Sequence, residues 1–195
     1  SDYPYIYLSD HYNYNAVASR LEVDELTTAD FQAQDQYDID YYSETRSYIK
    51  CYLNAAGRRI CWIDTHLCYY TDASKWLQMA EVFALAEAEE YVIITGDFNS
   101  KALSVSDSDY IRMFKPFVDA GYNLANSTQE AGFTKTWTNK IAPGSLSQFD
   151  QATDNIITSG NIEIVDVKFD TTKLAYGDGV NYMDHIPIIA DLIIM

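Results

Sequence analysis

Short apolar runs separated by polar segments cover most of this chain. The runs are rich in β-branched and aromatic residues, which are typical of buried strands. This pattern predicts strands at residues 16–19, 47–53, 60–65, 91–95, 154–158, 162–169 and 186–194. The stretch between the first two of them is assigned to a loop. Residues 54–57 (Asn-Ala-Ala-Gly) predict a hairpin turn.

Two segments have a helical period. In residues 73–90 the apolar side chains recur every three or four positions, and Thr71 and Asp72 are candidate N-terminal caps. Residues 107–120 predict a second helix, with Gly121 as its C-terminal cap. Helices inserted among many strands indicate the α+β class, and 195 residues correspond to a single domain.

The three cysteines lack the spacing of a metal site. Cys51 and Cys61 lie on the two strands of the predicted hairpin, where they face each other or sit one register apart. A cross-strand disulfide and two buried free thiols are both compatible with this placement.

The motif Gly-Asp-Phe-Asn at residues 96–99 directly follows a predicted buried strand. Its polar side chains, Asp97 and Asn99, are two positions apart, so both can point toward the same cleft. A carboxylate can take a proton from water, and an amide can hold an anionic group. Gly96 permits a sharp turn or a close backbone approach just before them.

Two of the three histidines also lie at the edges of predicted strands. His66 follows the strand at 60–65, and His185 precedes the strand at 186–194. Asp154 opens a strand that lies between these two in the sequence. A buried carboxylate is the usual partner that orients a histidine and raises its pKa, which makes Asp154 a candidate partner.

The chain resembles the endonuclease/exonuclease/phosphatase superfamily, also called deoxyribonuclease I-like. The resemblance lies in the order of four motifs: Thr-His-Leu at 65–67, Gly-Asp-Phe-Asn at 96–99, the strand at 154–158 and Asp-His-Ile-Pro at 184–187. It extends over residues 15–192, with Asn-Ala-Val-Ala-Ser-Arg at 15–20 and Glu-Thr-Arg at 44–46. It implies a four-layer αββα sandwich with two packed mixed sheets.

The resemblance implies a metal-dependent phosphoesterase in which water attacks the phosphorus in line. Asp97 would activate the water, and Asn99 would hold the nucleophile or a phosphate oxygen. His185, oriented by Asp154, would contact the scissile phosphate. His66 would stabilise the phosphoryl oxygens from the opposite side.

The implied cofactor is Mg²⁺ or Mn²⁺, which Asp184 would approach. The metal-binding Glu of the family lies in an earlier strand–helix segment that has no counterpart in residues 1–195. The chain is therefore interpreted as a single domain that is partial at its N-terminus, with weak metal binding and slow turnover or none. Glu22, Glu25 and Glu44 are alternatives for the ligand, although none stands in the expected context. A non-catalytic binding module of the same fold is the alternative function.

Charge bears on the substrate of such an enzyme. The chain has 29 Asp and Glu against 13 Lys and Arg, a formal net charge of −16. Tight binders of duplex nucleic acid carry a basic surface, and no strong basic cluster stands out in this sequence. Small phosphoesters and lipid headgroups therefore fit at least as well as nucleic acid. The sequence has no transmembrane run, and both a cytoplasmic and a secreted location stay open.

Overall fold

A computed structural model of the chain describes residues 2–9, 15–36, 39–40, 45–127, 133–136, 151–171 and 184–195. Within these residues the strands are β1 (Tyr5–Leu8), β2 (Ala16–Ser19), β3 (Val23–Asp30), β4 (Ser47–Ala55), β5 (Arg58–His66), β6 (Val92–Asp97), β7 (Asn123–Leu124), β8 (Asp154–Thr158), β9 (Ile162–Phe169) and β10 (Ile188–Ile194). The helices are α1 (Asp72–Ala86) and α2 (Lys115–Asp119), and a π-helical turn (Tyr110–Phe114) leads into α2. None of the helices in these parts of the chain is long and apolar enough to cross a bilayer.

The central layer is a six-stranded mixed sheet with the order β3-β4-β5-β6-β8-β7. Strands β5 and β6 run parallel, whereas β8 is antiparallel to β6. In this register His66 is the partner of Asp97 across β5 and β6, and Asp97 is the partner of Asp154 across β6 and β8. Strand pairing alone therefore brings three of the predicted site residues to one edge of the sheet.

Each face of the central sheet is covered by a separate layer. Helix α1 packs on one face, where Met79 and Val82 belong to the same buried cluster as Ile63. Two antiparallel ribbons, β1–β2 and β9–β10, pack on the other face. Val17 of the first ribbon contacts the cluster around Ile49, and the second ribbon contributes a cluster around Ile162.

Cys51 and Cys61 are both buried free thiols. In the hairpin of β4 and β5, Cys51 is opposite Trp62 and Cys61 is opposite Tyr52, so the two cysteines are one register apart. Because neighbouring positions of a strand point to opposite faces, their thiols lie on different sides of the sheet. Of the two alternatives, the structure has the free thiols.

The first predicted helix is confirmed, with a shorter C-terminal end. Thr71 caps α1, and its hydroxyl oxygen accepts a hydrogen bond from the Ser74 amide at 3.4 Å. The helix ends at Ala86, before the segment 87–90 with its three glutamates, which the prediction had included. Negative charge is unfavourable at a helix C-terminus, where the carbonyl dipoles already point outward.

The second predicted helix is interrupted. Residues 110–114 form a π-helical turn in which the Lys115 amide bonds to the Tyr110 carbonyl, with α-helical residues at 108–109 before it and Lys115–Asp119 after it. Pro116 lacks an amide hydrogen and its ring is too close to the carbonyl four residues earlier, so a regular α-helix cannot run through this point.

Strand β3 lies in a segment that the sequence assigned to a loop, and that assignment was wrong. Its residues alternate poorly between polar and apolar, and a bulge between Asp24 and Thr27 breaks the register with β4. Charged side chains and bulges are typical of edge strands, where they oppose pairing with other chains. Pairing with β4, rather than local pattern, makes this segment a strand.

Candidate active site

The cleft is built where β5, β6 and β8 meet. His66 ends β5, Asp97 ends β6, and His185 lies in the segment before β10. The Asp97 Oδ2 atom is 3.5 Å from His66 Nε2 and 3.7 Å from His185 Nε2. One carboxylate oxygen therefore faces two imidazole rings.

His185 is held by a carboxylate on the far side of its ring. Its Nδ1 lies 2.9 Å and 3.2 Å from the two oxygens of Asp154. The Thr153 hydroxyl donates to the same carboxylate at 2.9 Å. Thr136 joins the two segments, because its carbonyl accepts from the Ile186 amide at 2.8 Å while its hydroxyl accepts from the Asp154 amide at 3.1 Å.

Gly96 allows β5 and β6 to approach closely beside the cleft. Its φ is +146°, and a Cβ atom added there would lie 1.9 Å from the Thr65 carbonyl oxygen. Any side chain at this position would therefore separate the strand ends that carry His66 and Asp97. The glycine of the motif is required by the backbone packing.

Asn99 lies next to Asp97 but is engaged with the backbone. It adopts a positive φ of +49°, its amide nitrogen Nδ2 donates to the Leu67 carbonyl at 2.8 Å, and its backbone amide donates to Asp97 Oδ1 at 2.8 Å. Leu67 in turn donates its amide to the Asp97 carbonyl at 2.9 Å. These bonds join the loops that follow β5 and β6.

The candidate metal ligands fall into different environments. Asp184 is exposed and directly precedes His185. Of the alternatives, Glu22 is exposed, Glu25 pairs with Arg59 at 2.7 Å, and Glu44 lies outside the described residues. Neither Glu22 nor Glu25 borders the cleft.

The cleft forms an open pocket of about 400 Å³. It is lined by Asn15, Ala16, Asp64, Thr65, His66, Gly96, Asp97, Asp154 and His185. A larger cavity of about 690 Å³ lies on the side of α2, β7 and β9, and its lining contains a single carboxylate, Glu163, and no histidine. The smaller cavity is where carboxylates and imidazoles converge, so we take it as the candidate site.

The surroundings of the cleft residues shift their pKa values in different directions. Burial and the neighbouring Asp154 carboxylate raise the pKa of Asp97 to about 6. Burial, Arg46 and His185 lower the pKa of His66 well below its usual range. For His185, burial is outweighed by the hydrogen bond to Asp154 and the charges of Asp154 and Asp97, which raise the pKa to about 9.

At neutral pH the cleft therefore holds an Asp97 carboxylate, a neutral His66 and a protonated His185. Titratable groups whose pKa values are driven apart in this way are typical of acid–base sites. Asp97, Asp154 and His185 each offer one ligand atom within 4.8 Å of the others, so the group could also hold a metal ion.

Known structures with this architecture come from several proteins. No protein-family model and no curated protein matches the sequence. An endonuclease/exonuclease/phosphatase protein from Beutenbergia cavernae has a TM-score of 0.66 and 16% identity, and the match covers 93% of this chain and 47% of that one. The mannosyl-6-phosphatase of Bacteroides thetaiotaomicron has a TM-score of 0.64 and 15% identity, with 92% and 71% covered.

The chain has the endonuclease/exonuclease/phosphatase fold. A third structure, sphingomyelinase C from Streptomyces griseocarneus, agrees with this, with a TM-score of 0.64, 16% identity and coverage of 90% of this chain and 66% of that one. The predicted fold class, α+β and deoxyribonuclease I-like, is thereby confirmed. The chain spans about half the length of the Beutenbergia protein.

Within the endonuclease/exonuclease/phosphatase fold, the structure brings together four of the predicted residues, His66, Asp97, Asp154 and His185. Asp64 was missed by the sequence analysis, although it lines the same cavity two positions before His66 on β5. It accepts a hydrogen bond from the Thr95 hydroxyl at 2.7 Å, and burial raises its pKa to about 7. The period of two along β5 was the available signal, because residues 64 and 66 share a face.

Proposed function

We propose that this domain hydrolyses phosphoesters by in-line attack of water, with Asp97 as the general base. The observation that carries the proposal is the position of Asp97 Oδ2, 3.5 Å and 3.7 Å from the Nε2 atoms of His66 and His185. A water bound beside this oxygen would lie between groups able to take its proton and to bind the phosphoryl oxygens. The shared fold is consistent with the proposal, since its known members include a mannosyl-6-phosphatase and a sphingomyelinase C.

Asp97 is suited to proton abstraction near neutral pH. A base is most effective when its pKa is close to the working pH, and burial moves this carboxyl from its ordinary range to about 6. Its Oδ1 is occupied by the Asn99 amide, so Oδ2 is the oxygen that receives the proton.

His185 supplies positive charge and a hydrogen-bond donor. Its Nδ1–H donates to Asp154, and when the ring is protonated its second N–H is on Nε2, which faces the cleft. With a pKa of about 9 the ring is an imidazolium at neutral pH, and it can donate to a phosphoryl oxygen whose charge grows in the transition state. The neutral His66 ring can donate to a second oxygen from the β5 side.

Mg²⁺ fits the oxygen donors only in part. It is usually held by one or two carboxylates together with waters and substrate phosphate, and the exposed Asp184 would be the carboxylate here, since Asp97 serves as the base. When bound, it would supply charge to the phosphoryl oxygens. The imidazole of His185 is engaged with Asp154 and is unsuited as a ligand in its protonated form.

Three substrate classes are compatible with this reaction: sugar phosphates, phospholipid headgroups and nucleic acids. Polyanions associate slowly with a protein of net charge −16, so the charge favours the first two. The known proteins named for a sugar phosphate and for sphingomyelin are examples of these two classes.

The test is hydrolysis of bis(p-nitrophenyl) phosphate and p-nitrophenyl phosphate with and without Mg²⁺, comparing the chain with Asp97→Asn. We expect slow, Mg²⁺-dependent release of p-nitrophenol that falls at least about 100-fold in the variant, because the base is lost. The preferred ester would separate a diesterase from a monoesterase. Saturable binding of the esters without product formation would contradict the proposal and support the binding module instead.

A further inference from the structure

Helix α1 buries two polar side chains against the loops that lead away from the cleft. Lys75 and Gln78, one helical turn apart, have no exposed surface. Lysine is almost never fully buried unless it is paired, and a buried polar group without hydrogen bonds costs free energy. The hydrogen-bond partners of Lys75 and Gln78 therefore identify the segments that helix α1 keeps in place.

The Lys75 ammonium uses all three of its hydrogens. Nζ donates to the Asn99 carbonyl at 3.0 Å, to Asp109 Oδ2 at 2.8 Å and to Asp72 Oδ1 at 3.1 Å. Asp72 is on the same helix, and Asp109 directly precedes the π-helical turn. The contact with Asn99 is the one that reaches the loop of the Gly-Asp-Phe-Asn motif.

Asp109 also links helix α1 to the segment that follows the Gly-Asp-Phe-Asn motif. Its Oδ1 accepts from the Trp76 indole nitrogen at 2.8 Å, and its Oδ2 accepts from the Lys101 amide at 2.7 Å. The carboxylate therefore binds the helix and the chain two residues beyond Asn99. A buried carboxylate with this many donors is fixed in position.

Gln78 holds the loop that follows β5 in the same manner. Its Oε1 accepts from the Cys68 amide at 2.7 Å, and its Nε2 donates to the Ala33 carbonyl at 2.7 Å. Cys68 lies two residues after His66. One face of α1 thus contacts both of the loops that follow the cleft residues His66 and Asp97.

The path from Lys75 to the cleft is short. Asn99 has a positive φ of +49°, a conformation in which asparagine is enriched, and the carbonyl of this turned residue accepts from Lys75. The Asn99 amide donates to Asp97 Oδ1 at 2.8 Å, and this bond sets the orientation of the carboxylate. Movement of the Asn99 backbone, whose carbonyl accepts from Lys75 and whose amide donates to Asp97, would therefore rotate Oδ2 away from the two imidazoles.

We propose that Lys75 is a positioning residue, which acts through the Asn99 backbone to hold the Asp97 carboxylate in its productive orientation. Lys75 does not touch the cleft, and none of the lining residues is bonded to its side chain. The inference rests on the proposed function for its kinetic consequence. Its structural consequence, local loosening of residues 97–101, is independent of any activity.

The experiment compares Lys75→Met with Lys50→Met. Lys50 is the matched control, because its ammonium binds the Leu85 carbonyl at 3.3 Å and Glu89 at 2.8 Å near the other end of α1, away from the cleft. Hydrogen–deuterium exchange followed by mass spectrometry measures residues 97–101 and 66–68, with β4 and β5 as an internal reference. kcat and KM for bis(p-nitrophenyl) phosphate are measured on the same samples.

We expect Lys75→Met to increase exchange in residues 97–101 at least about tenfold while β4 and β5 stay protected. kcat should fall about 10- to 100-fold with KM changed less than about twofold, because a displaced base affects the transition state more than binding. Lys50→Met should change neither the exchange of residues 97–101 nor kcat. Lys75→Arg, which keeps the charge, should restore part of the protection and part of kcat.

Unchanged exchange in residues 97–101 of Lys75→Met would overturn the proposal. So would an equal rise in exchange throughout the protein, or equal losses of kcat in Lys75→Met and Lys50→Met. If Lys75→Met does not fold, Lys75→Arg decides by the same two readouts. If the unmodified chain hydrolyses no phosphoester, the proposed function fails, and the exchange data alone still decide whether Lys75 fixes the loop.

Discussion

Replacing Asp154 by Asn removes the carboxylate that keeps His185 protonated while leaving a side chain of the same shape. The hydrogen bond and charge of Asp154 are the largest influences that raise the pKa of His185, against the effect of burial, from 6.5 to about 9. This difference corresponds to about 3 kcal/mol in favour of the imidazolium, which is an upper value because the ring is 31% exposed.

In Asp154→Asn the burial remains and the largest opposing influence is lost, leaving the weaker effects of Asp97 and Asp184, so the pKa of His185 should fall to about 6.5. At pH 7.5 the protonated fraction would drop from about 97% to about 10% or less, and the rate should fall about tenfold from this cause alone. The same carboxylate helps to raise the pKa of Asp97, so that pKa should fall as well.

The assay is the pH dependence of kcat/KM for bis(p-nitrophenyl) phosphate. The chain should give a bell-shaped profile with limbs near 6 and 9, from deprotonation of Asp97 and of His185. In Asp154→Asn both limbs should move to lower pH. NMR titration of the imidazole C–H signals, of which the sequence allows three sets, measures the histidine pKa directly.

The control is Asp166→Asn, which removes an exposed carboxylate paired with Lys168 on β9 and should leave the profile unchanged. An upper limb that stays near 9 in Asp154→Asn would refute the reasoning, because another group would then be responsible. The sign for stability follows from the same pKa. The raised pKa of His185 stabilises the folded chain fully below pH 6.5, and this contribution is lost as the pH rises through about 9.

Three further predictions follow from the geometry of the cleft. Asp64→Asn should stabilise the chain at pH 8 by on the order of 3 kcal/mol and by little at pH 4. Because the pKa of Asp64 is raised to about 7 in the folded chain, the folded chain becomes less stable as the pH rises through that value. Urea denaturation that gives the same difference at both pH values would contradict this. Gly96→Ala should destabilise the folded chain by at least about 3 kcal/mol, because the added Cβ would overlap the Thr65 carbonyl. Gly121→Ala, at a φ of +86° but with open space around it, should destabilise the chain by about 1 kcal/mol. Equal losses in urea denaturation would exclude steric overlap as the cause. Asp184→Asn should raise the Mg²⁺ concentration that gives half-maximal hydrolysis several-fold, and an unaltered Mg²⁺ titration would remove this residue from the metal site.

The pattern of apolar and polar residues along the chain was sufficient to predict many of the strands. The strands at 16–19, 154–158 and 162–169 were predicted with the bounds that the structure has, because each is a short apolar run between clear breaks. Strand β3 could not be predicted in this way, since its polar sequence becomes a strand only through its pairing with β4. The π-helical turn in the second predicted helix lies directly before Pro116, a break within an otherwise favourable pattern.

The residue types of the cleft were determined by the sequence, since His66, Asp97, Asp154 and His185 are polar side chains at the edges of apolar strands. Only the tertiary structure decided their distances, their pKa values and the engagement of Asn99 with the Leu67 carbonyl. Lys75 shows the physical reason most clearly. On an isolated helix it would be a solvated charge, and its burial against Asn99 and Asp109 depends on segments 24 and 34 residues away in the chain.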